Sequence, residues 1–549
     1  MGSERLRHYP VPKCLKQACV CGTSQHKGGF KKMFTIYGLK ESARSLRRAA
    51  TTFVMSLVLV GAMATSANSA EVTVRISEDF GTLDPAFWQS DADLTMINVL
   101  FPKLIEFKSG KNWEWELQAA ESIEQVDELT IKFTLKPGLM WTDGYGEVTT
   151  EDVKYSYERY LDPELDSPII GDWAPLKEVE IVDKYSGIIH LKEPFAPIWW
   201  STLPYSSGAI VSKKATEEAG GKFTTEPGAT AGAYKIETWV PREKIILVPH
   251  DGWNGRAAGF DRITLLPIQE SKSAELGFEA GEIDFTEISI GSMPRLQDSL
   301  PAGGILEVRA TADYTFLGLN IANVKLTDVR VRQAIIMAID VDAILEGAYF
   351  GVPSRASGLV APGLIGYIDK APIPRDVDGA RALLEAAGVS DLNIEVDLPN
   401  ESEFVTAAQI IQANLAEVGI NLQINQLDGG TFWNVAYDKG EALELTLKNY
   451  TSPPDPSWST QWFLRDQKGV WNWEYLDSEE FDNLHYAALK ETDMDKRASM
   501  YYRLQEIMDE SAGFVWIMHP PRALLYRDTI VPGIYPNGGI KLSDFQPAG

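Results

Sequence analysis

LKPGLMWTDGYGEVTTEDVKYSYERY, residues Leu135 to Tyr160, decides how this chain is read. It continues an alternating run, Thr130–Leu135, in which Ile131, Phe133 and Leu135 share one face, the pattern of a half-buried strand. Lys136-Pro137-Gly138 ends that strand in a turn, and Thr142-Asp143-Gly144 makes a second turn. Thr149 or Thr150 then caps a helix whose first turn carries Glu151 and Asp152, which favour the positive end of the helix dipole. Val153, Tyr157 and Tyr160 fall on one face of it. Local physics accounts for each step, and none requires a reacting group.

The same alternation of periods recurs along the chain. In Asn393–Leu398, Ile394, Val396 and Leu398 alternate as in a strand. Phe404, Ala408, Ile411, Leu415 and Val418 follow at helical spacing, and after Gly419 the two-residue period returns through Ile420, Leu422 and Ile424. This is a strand–helix–strand crossover between parallel strands. Asp328–Ile339 and Ser499–Met508 also read as helices. The 549 residues suit two or three domains. The fold class is α/β, with mixed sheets in more than one lobe.

The first 70 residues differ from the rest. They hold 11 of the 51 Lys/Arg and two of the 77 Asp/Glu, and end in a basic stretch, Arg44 to Arg48, the apolar run AATTFVMSLVLVGAMA and the small-residue tail TSANSA. That is the layout of a secretory signal peptide, with a cut expected after Ala70 or, as second choice, Ala67. The apolar run is short for a bilayer span. Arg47-Arg48 raises the twin-arginine route, although the flanking residues fit it poorly, and Met33 opens a leader of more usual length. The remainder keeps 40 bases and 75 acids, a net charge of −35, which argues against nucleic acid and anionic membrane surfaces as partners. Cys14, Cys19 and Cys21 all lie in the leader; with His26 they do not make a standard zinc spacing. The expected product is a periplasmic protein without disulfide, lipid anchor, bound metal or cofactor.

In order along the chain, several segments resemble those of the extracellular solute-binding proteins of family 5, the peptide, nickel and oligosaccharide receptors of ABC importers. These are Thr82-Leu83-Asp84-Pro85, Leu100-Phe101-Pro102-Lys103-Leu104, Leu135–Tyr160, and Trp253-Asn254-Gly255 with Phe260-Asp261-Arg262-Ile263; Asp328 to Ala334 and Ser478-Glu479-Glu480-Phe481-Asp482 follow. The resemblance implies a two-lobed clamshell that closes on a solute about a hinge. It puts the first lobe at 71–321, with an extra subdomain near 109–212, the second at 322–515, and a return to the first at 516–549. It implies a monomeric receptor that is not an enzyme and that hands its solute to the permease and ATPase subunits of an importer. The chain has no GxSxG, HExxH or GxxxxGK[ST], although an exported hydrolase using paired carboxylates stays as an alternative.

By position, the resemblance implies ligand contacts at Trp88, Gln89 and Asp91 after the first strand, and after the strand Leu443–Leu447 at Asn449, Tyr450, Ser452 and Asp455. Peptide-binding relatives carry an aspartate for the ligand α-amino group where this chain has Ser452, leaving Asp455 or Asp91 as candidates to substitute. Trp433, Trp458, Trp471 and Trp473 add faces that stack on sugars or cations. Trp471-Asn472-Trp473 is expected to be extended, with both tryptophans on one side and Asn472 on the other. A short peptide or amino-acid conjugate is the first expectation for the solute, and a small oligosaccharide or opine-like sugar conjugate the second.

Overall fold

Glu71–Ile76, the first strand, buries Val72, Val74 and Ile76 and lies between two parallel neighbours, Arg262–Pro267 and Phe285–Ile288. The computed structural model describes residues 70–549. The expected leader, with its three cysteines and His26, lies outside the described residues. Seven strands make the sheet of the first lobe, in the order Gly304–Arg309, Arg522–Arg527, Phe285–Ile288, Glu71–Ile76, Arg262–Pro267, Lys244–Pro249, Tyr234–Val240. Apart from the first strand's two parallel pairings, its ladders are antiparallel.

The segment from Leu135 to Tyr160 belongs to an antiparallel layer on this lobe, Ala120–Asp127, Thr130–Leu135, Ser186–Leu191 and Leu176–Ile181. The helix forms at Thr150–Glu158, with Thr149 donating its N–H to the Asp152 carboxylate at 2.9 Å. Val153, Tyr157 and Tyr160 are buried, and Tyr157 stacks on Trp173 at 4.1 Å. Just past the helix, Arg159 makes a two-pronged ion pair with Asp84 (3.1 and 2.8 Å). Asp84, in the Thr82–Pro85 segment, is thus a clamp between two distant stretches of chain.

The second lobe is a five-stranded sheet in the order Ile420–Leu427, Leu392–Pro399, Leu445–Tyr450, Tyr314–Leu319, Phe514–Met518. The expected crossover is there: Leu392–Pro399 and Ile420–Leu427 run parallel, joined by the helix Ser402–Glu417, which buries Ala408, Ile411 and Leu415. The helices read at 328–339 and 499–508 occur as Val329–Ala338 and Met494–Ser511. Tyr314–Leu319 and Phe514–Met518 pair with each other in this sheet, so the chain crosses between sheets at 310–313 and 519–521. The expected boundaries at 321/322 and 515/516 each cut a strand off its own sheet or fall inside one. The reason is hydrogen bonding: Tyr314–Leu319 pairs along its whole length with Leu445–Tyr450.

Candidate functional site

The two crossings lie side by side. His519 donates from Nδ1 to the Asp313 carbonyl at 2.9 Å, and Thr311 donates from Oγ1 to the Pro520 carbonyl at 2.6 Å. Burial lowers the His519 pKa, so the ring is neutral at pH 7. Asp313 accepts the Ser452 N–H on Oδ1 at 3.0 Å. Burial pushes its pKa up to about 6, against the pull of Arg522. Arg522, at the start of the returning strand, is ion-paired with Asp91 at the first turn of the helix Asp91–Leu100. Burial works against the Arg522 charge, and Asp91, Glu287 and Asp313 more than offset it, so its pKa is raised.

Beside this corner is a cavity of about 90 Å³, at the carboxyl ends of Glu71–Ile76 and Phe285–Ile288. Arg75, Asp91, Asn98, Tyr205, Glu287 and Arg522 are among the side chains that line it. Crevices at the carboxyl ends of parallel strands are where open α/β sheets hold ligands. The loop leading to it is fixed by Asp93, whose carboxylate accepts the N–H groups of Gly81, Thr82 and Gln89 at 2.7, 3.1 and 2.9 Å. That loop carries Trp88, half-buried and edge-on to Tyr205 at 5.9 Å, and Gln89, exposed. Of the three residues read here from sequence, Asp91 alone lines the cavity.

In the second lobe the structure separates the candidates. Asp455 is sealed in an ion pair with Arg497 (2.7 and 2.9 Å), both side chains being fully buried, so it has no role as an amine acceptor. Ser452 is buried too, its hydroxyl donating to the Pro453 carbonyl and accepting from Ser459. Asn449 accepts from the Thr315 hydroxyl, and the Tyr450 hydroxyl donates to the Trp471 carbonyl. Residues 471–473 are a turn, not an extended segment. Asn472 folds it by donating to the carbonyls of Phe463, Leu464 and Leu476 and accepting the Leu476 N–H. The two tryptophans consequently part: Trp471 is 38% exposed and Trp473 1%, its indole N–H taken by the Val470 carbonyl. Asn472 and Trp473 are framework.

An open aromatic stripe remains. Trp458 packs against the core of the first lobe, then Trp462 lies 5.6 Å from it, Trp471 5.3 Å further and Trp433 6.2 Å beyond. Trp433 is 45% exposed. Trp462 was not read from the sequence, nor were Arg75, Asn98, Tyr205, Glu287, Asp313 and Arg522. A cue existed for three of them: Arg75 and Glu287 are charged residues inside strands, and Arg522 opens one.

Two lobes joined by paired crossings, with a charged cavity in the first lobe beside those crossings and an aromatic stripe that runs from the first lobe's core along the second, define a solute receptor of the clamshell class. Residues 114–471 match the model of the bacterial extracellular solute-binding proteins, family 5 (Middle), and the chain belongs to this family. Its members are binding proteins rather than enzymes. Among curated relatives, the chain is 25% identical over 460 residues to the probable D,D-dipeptide-binding periplasmic protein DdpA of Escherichia coli (strain K12), covering 79% of this chain and 86% of that one. The structure resembles the periplasmic binding protein DppA of Helicobacter pylori in complex with the peptide STSA (TM-score 0.72, 22% identity, 88% of this chain and 99% of that one). It equally resembles MoaA of A. tumefaciens R10 in complex with mannopinic acid (TM-score 0.72, 22% identity, 88% and 100%). Among the described residues no helix is long and apolar enough to cross a membrane, and no group of three or more His, Cys, Asp or Glu could hold a metal ion.

Proposed function

We propose that the mature chain, released from its leader near Ala70, is the periplasmic capture receptor of an ABC importer and that its solute is a short peptide or amino-acid conjugate. The observation that carries this reading is the cavity beside the paired crossings, lined by Arg75, Arg522, Asp91 and Glu287. Such walls suit small polar solutes with charged ends. DdpA and DppA, whose names or bound ligand are peptides, lend support. Mass spectrometry of the small molecules released on denaturing the purified protein tests it. A defined peptide or amino-acid-containing mass is expected. No released solute, together with no thermal stabilisation by any peptide, conjugate or sugar, would sink the receptor reading.

A second reading, a sugar conjugate, is favoured by the stripe from Trp458 to Trp433, whose faces suit pyranose rings. A released mass containing a hexose would support it.

A further inference from the structure

The donors and acceptors around the lobe I cavity do not balance within the protein. Arg75 is largely engaged by the framework, its Nε and Nη2 donating to the carbonyls of Ile268 and Gln269 at 2.8 and 2.9 Å, which leaves Nη1 with no acceptor among the described residues. Arg522 uses Nη2 on Asp91, and among the described residues nothing accepts from its Nε or Nη1. Glu287 feels Arg75 and Arg522 at a distance, yet among the described residues no donor is seated on its carboxylate. Asn98 lines the same cavity with a buried Oδ1 that has no donor either. The cavity thus offers free N–H groups on a guanidinium, together with a carboxylate and an amide oxygen that have no donors. Two guanidinium groups and two carboxylates leave its wall neutral, so an ion of one sign would unbalance it.

The complement of such a wall is a small group that donates and accepts while carrying no net charge. We propose that the cavity receives an α-amino-acid head, its ammonium on Glu287 and the Asn98 Oδ1 and its carboxylate on the free N–H groups of Arg522. The solute is then one whose ammonium and carboxylate sit on the same carbon, joined to the rest through its side chain. An ordinary α-linked peptide does not fit this description, because its charged ends are separated by at least one extended residue of roughly 3.5 Å. Whatever the side chain carries is left outside the cavity. This inference rests on the receptor reading and narrows its solute.

Calorimetric titration with two isomers, γ-glutamylphenylalanine and α-glutamylphenylalanine, tests it, since each carries one ammonium and two carboxylates and they differ only in whether the ammonium shares its carbon with a carboxylate. The γ isomer is expected to bind about 10- to 100-fold more tightly, the range for charged hydrogen bonds. N-acetylation or α-amidation of the γ isomer is expected to remove about tenfold or more each. Glu287→Gln should weaken the γ isomer, whereas the N-acetyl form, which has no ammonium and carries only carboxylates, should bind no more weakly than before, which separates lost recognition from lost folding. Equal or tighter binding of the α isomer overturns the inference. So does γ affinity untouched by Glu287→Gln, or binding of neither isomer by a protein that binds another solute; in these cases the receptor reading stands. Failure to bind any solute removes both.

Discussion

Two aspartate–arginine pairs, one in each lobe, use the same chemistry in opposite conditions. Asp455–Arg497 is closed on all sides: two ion-pair contacts, an Arg497 Nε bond to the Ala488 carbonyl and one to the Tyr501 hydroxyl, with no exposed side-chain surface. Asp91–Arg522 has one contact, lies beside a cavity, and leaves Asp91 58% exposed and donors on Arg522 unused. The first pair staples the helix Met494–Ser511 to the loop after Leu445–Tyr450. The second sits where the lobes meet and has capacity left for a visitor. Position in a loop beside a cleft therefore does not separate framework from a candidate ligand contact; hydrogen-bonding capacity left unspent is what sets the candidate apart.

Deleting one partner from each pair is the sharpest way to break this comparison. Asp455→Ala leaves Arg497 charged and buried, and is expected to lower the unfolding free energy by about 3–5 kcal/mol in denaturant titrations. Lys448–Glu474, buried at 0% and 1% exposure with 2.7 Å between charges, falls in the same class. Gly318 belongs to it, since a Cβ there would lie 1.9 Å from the Glu474 Oε1. Burial lowers the Lys448 pKa to about 8 although Glu474 opposes this. Lys448→Met should cost about 3–5 kcal/mol by stranding Glu474, whereas the double variant Lys448→Met with Glu474→Leu should recover most of it. A double variant as unstable as the single one would mean that packing, not the stranded charge, sets the loss.

Much of the framework was legible in the sequence and much of the site was not, for one physical reason. Periodicity is a local property, so Thr130–Leu135, the capped helix after Thr149 and the parallel crossover from Leu392 to Leu427 could be read directly. Sheet membership is decided by distant partners. Tyr314–Leu319 looks like a strand of either lobe until its pairing with Leu445–Tyr450 is seen, and hence the crossings were misplaced. The site suffers more. Asp455 and Asp91 are alike in sequence, and only Arg497 and Arg522, 42 and 431 positions away, distinguish them. Asn472 looked like a polar contact between two tryptophans because nothing local says that three carbonyls will converge on it.

Asp313 gives a smaller effect with a distinctive pH profile. Its pKa of about 6 in the folded protein exceeds the 3.8 of an exposed aspartate. Between pH 4 and 6 the native state therefore keeps a proton that the unfolded chain has released, and stability falls as pH rises through that window. Above pH 6 the buried charge acts in full against folding. Asp313→Asn keeps an oxygen for the Ser452 N–H and removes that charge, so it should stabilise the protein by about 1–2 kcal/mol at pH 7.5. The gain should vanish below pH 4. A gain independent of pH, or a loss at pH 7.5, would show that the carboxylate is held in place by more than it loses to burial.

The least stability change, and the most telling, is expected at Asp91. Removing it as Asp91→Ala takes away a partly exposed ion pair, and losses there are typically below about 1 kcal/mol. Arg522 is not stranded, because Glu287 and Asp313 remain within electrostatic reach. Denaturant titration of this variant beside Asp455→Ala is therefore a direct comparison of the two pairs. Similar losses would mean that Asp91–Arg522 is framework like its counterpart, and the cavity would lose its standing as a site. A small loss in stability with a clear change in solute affinity would separate the two pairs by function, since the variant shifts the cavity wall from neutral to positive without disturbing what holds the lobe together.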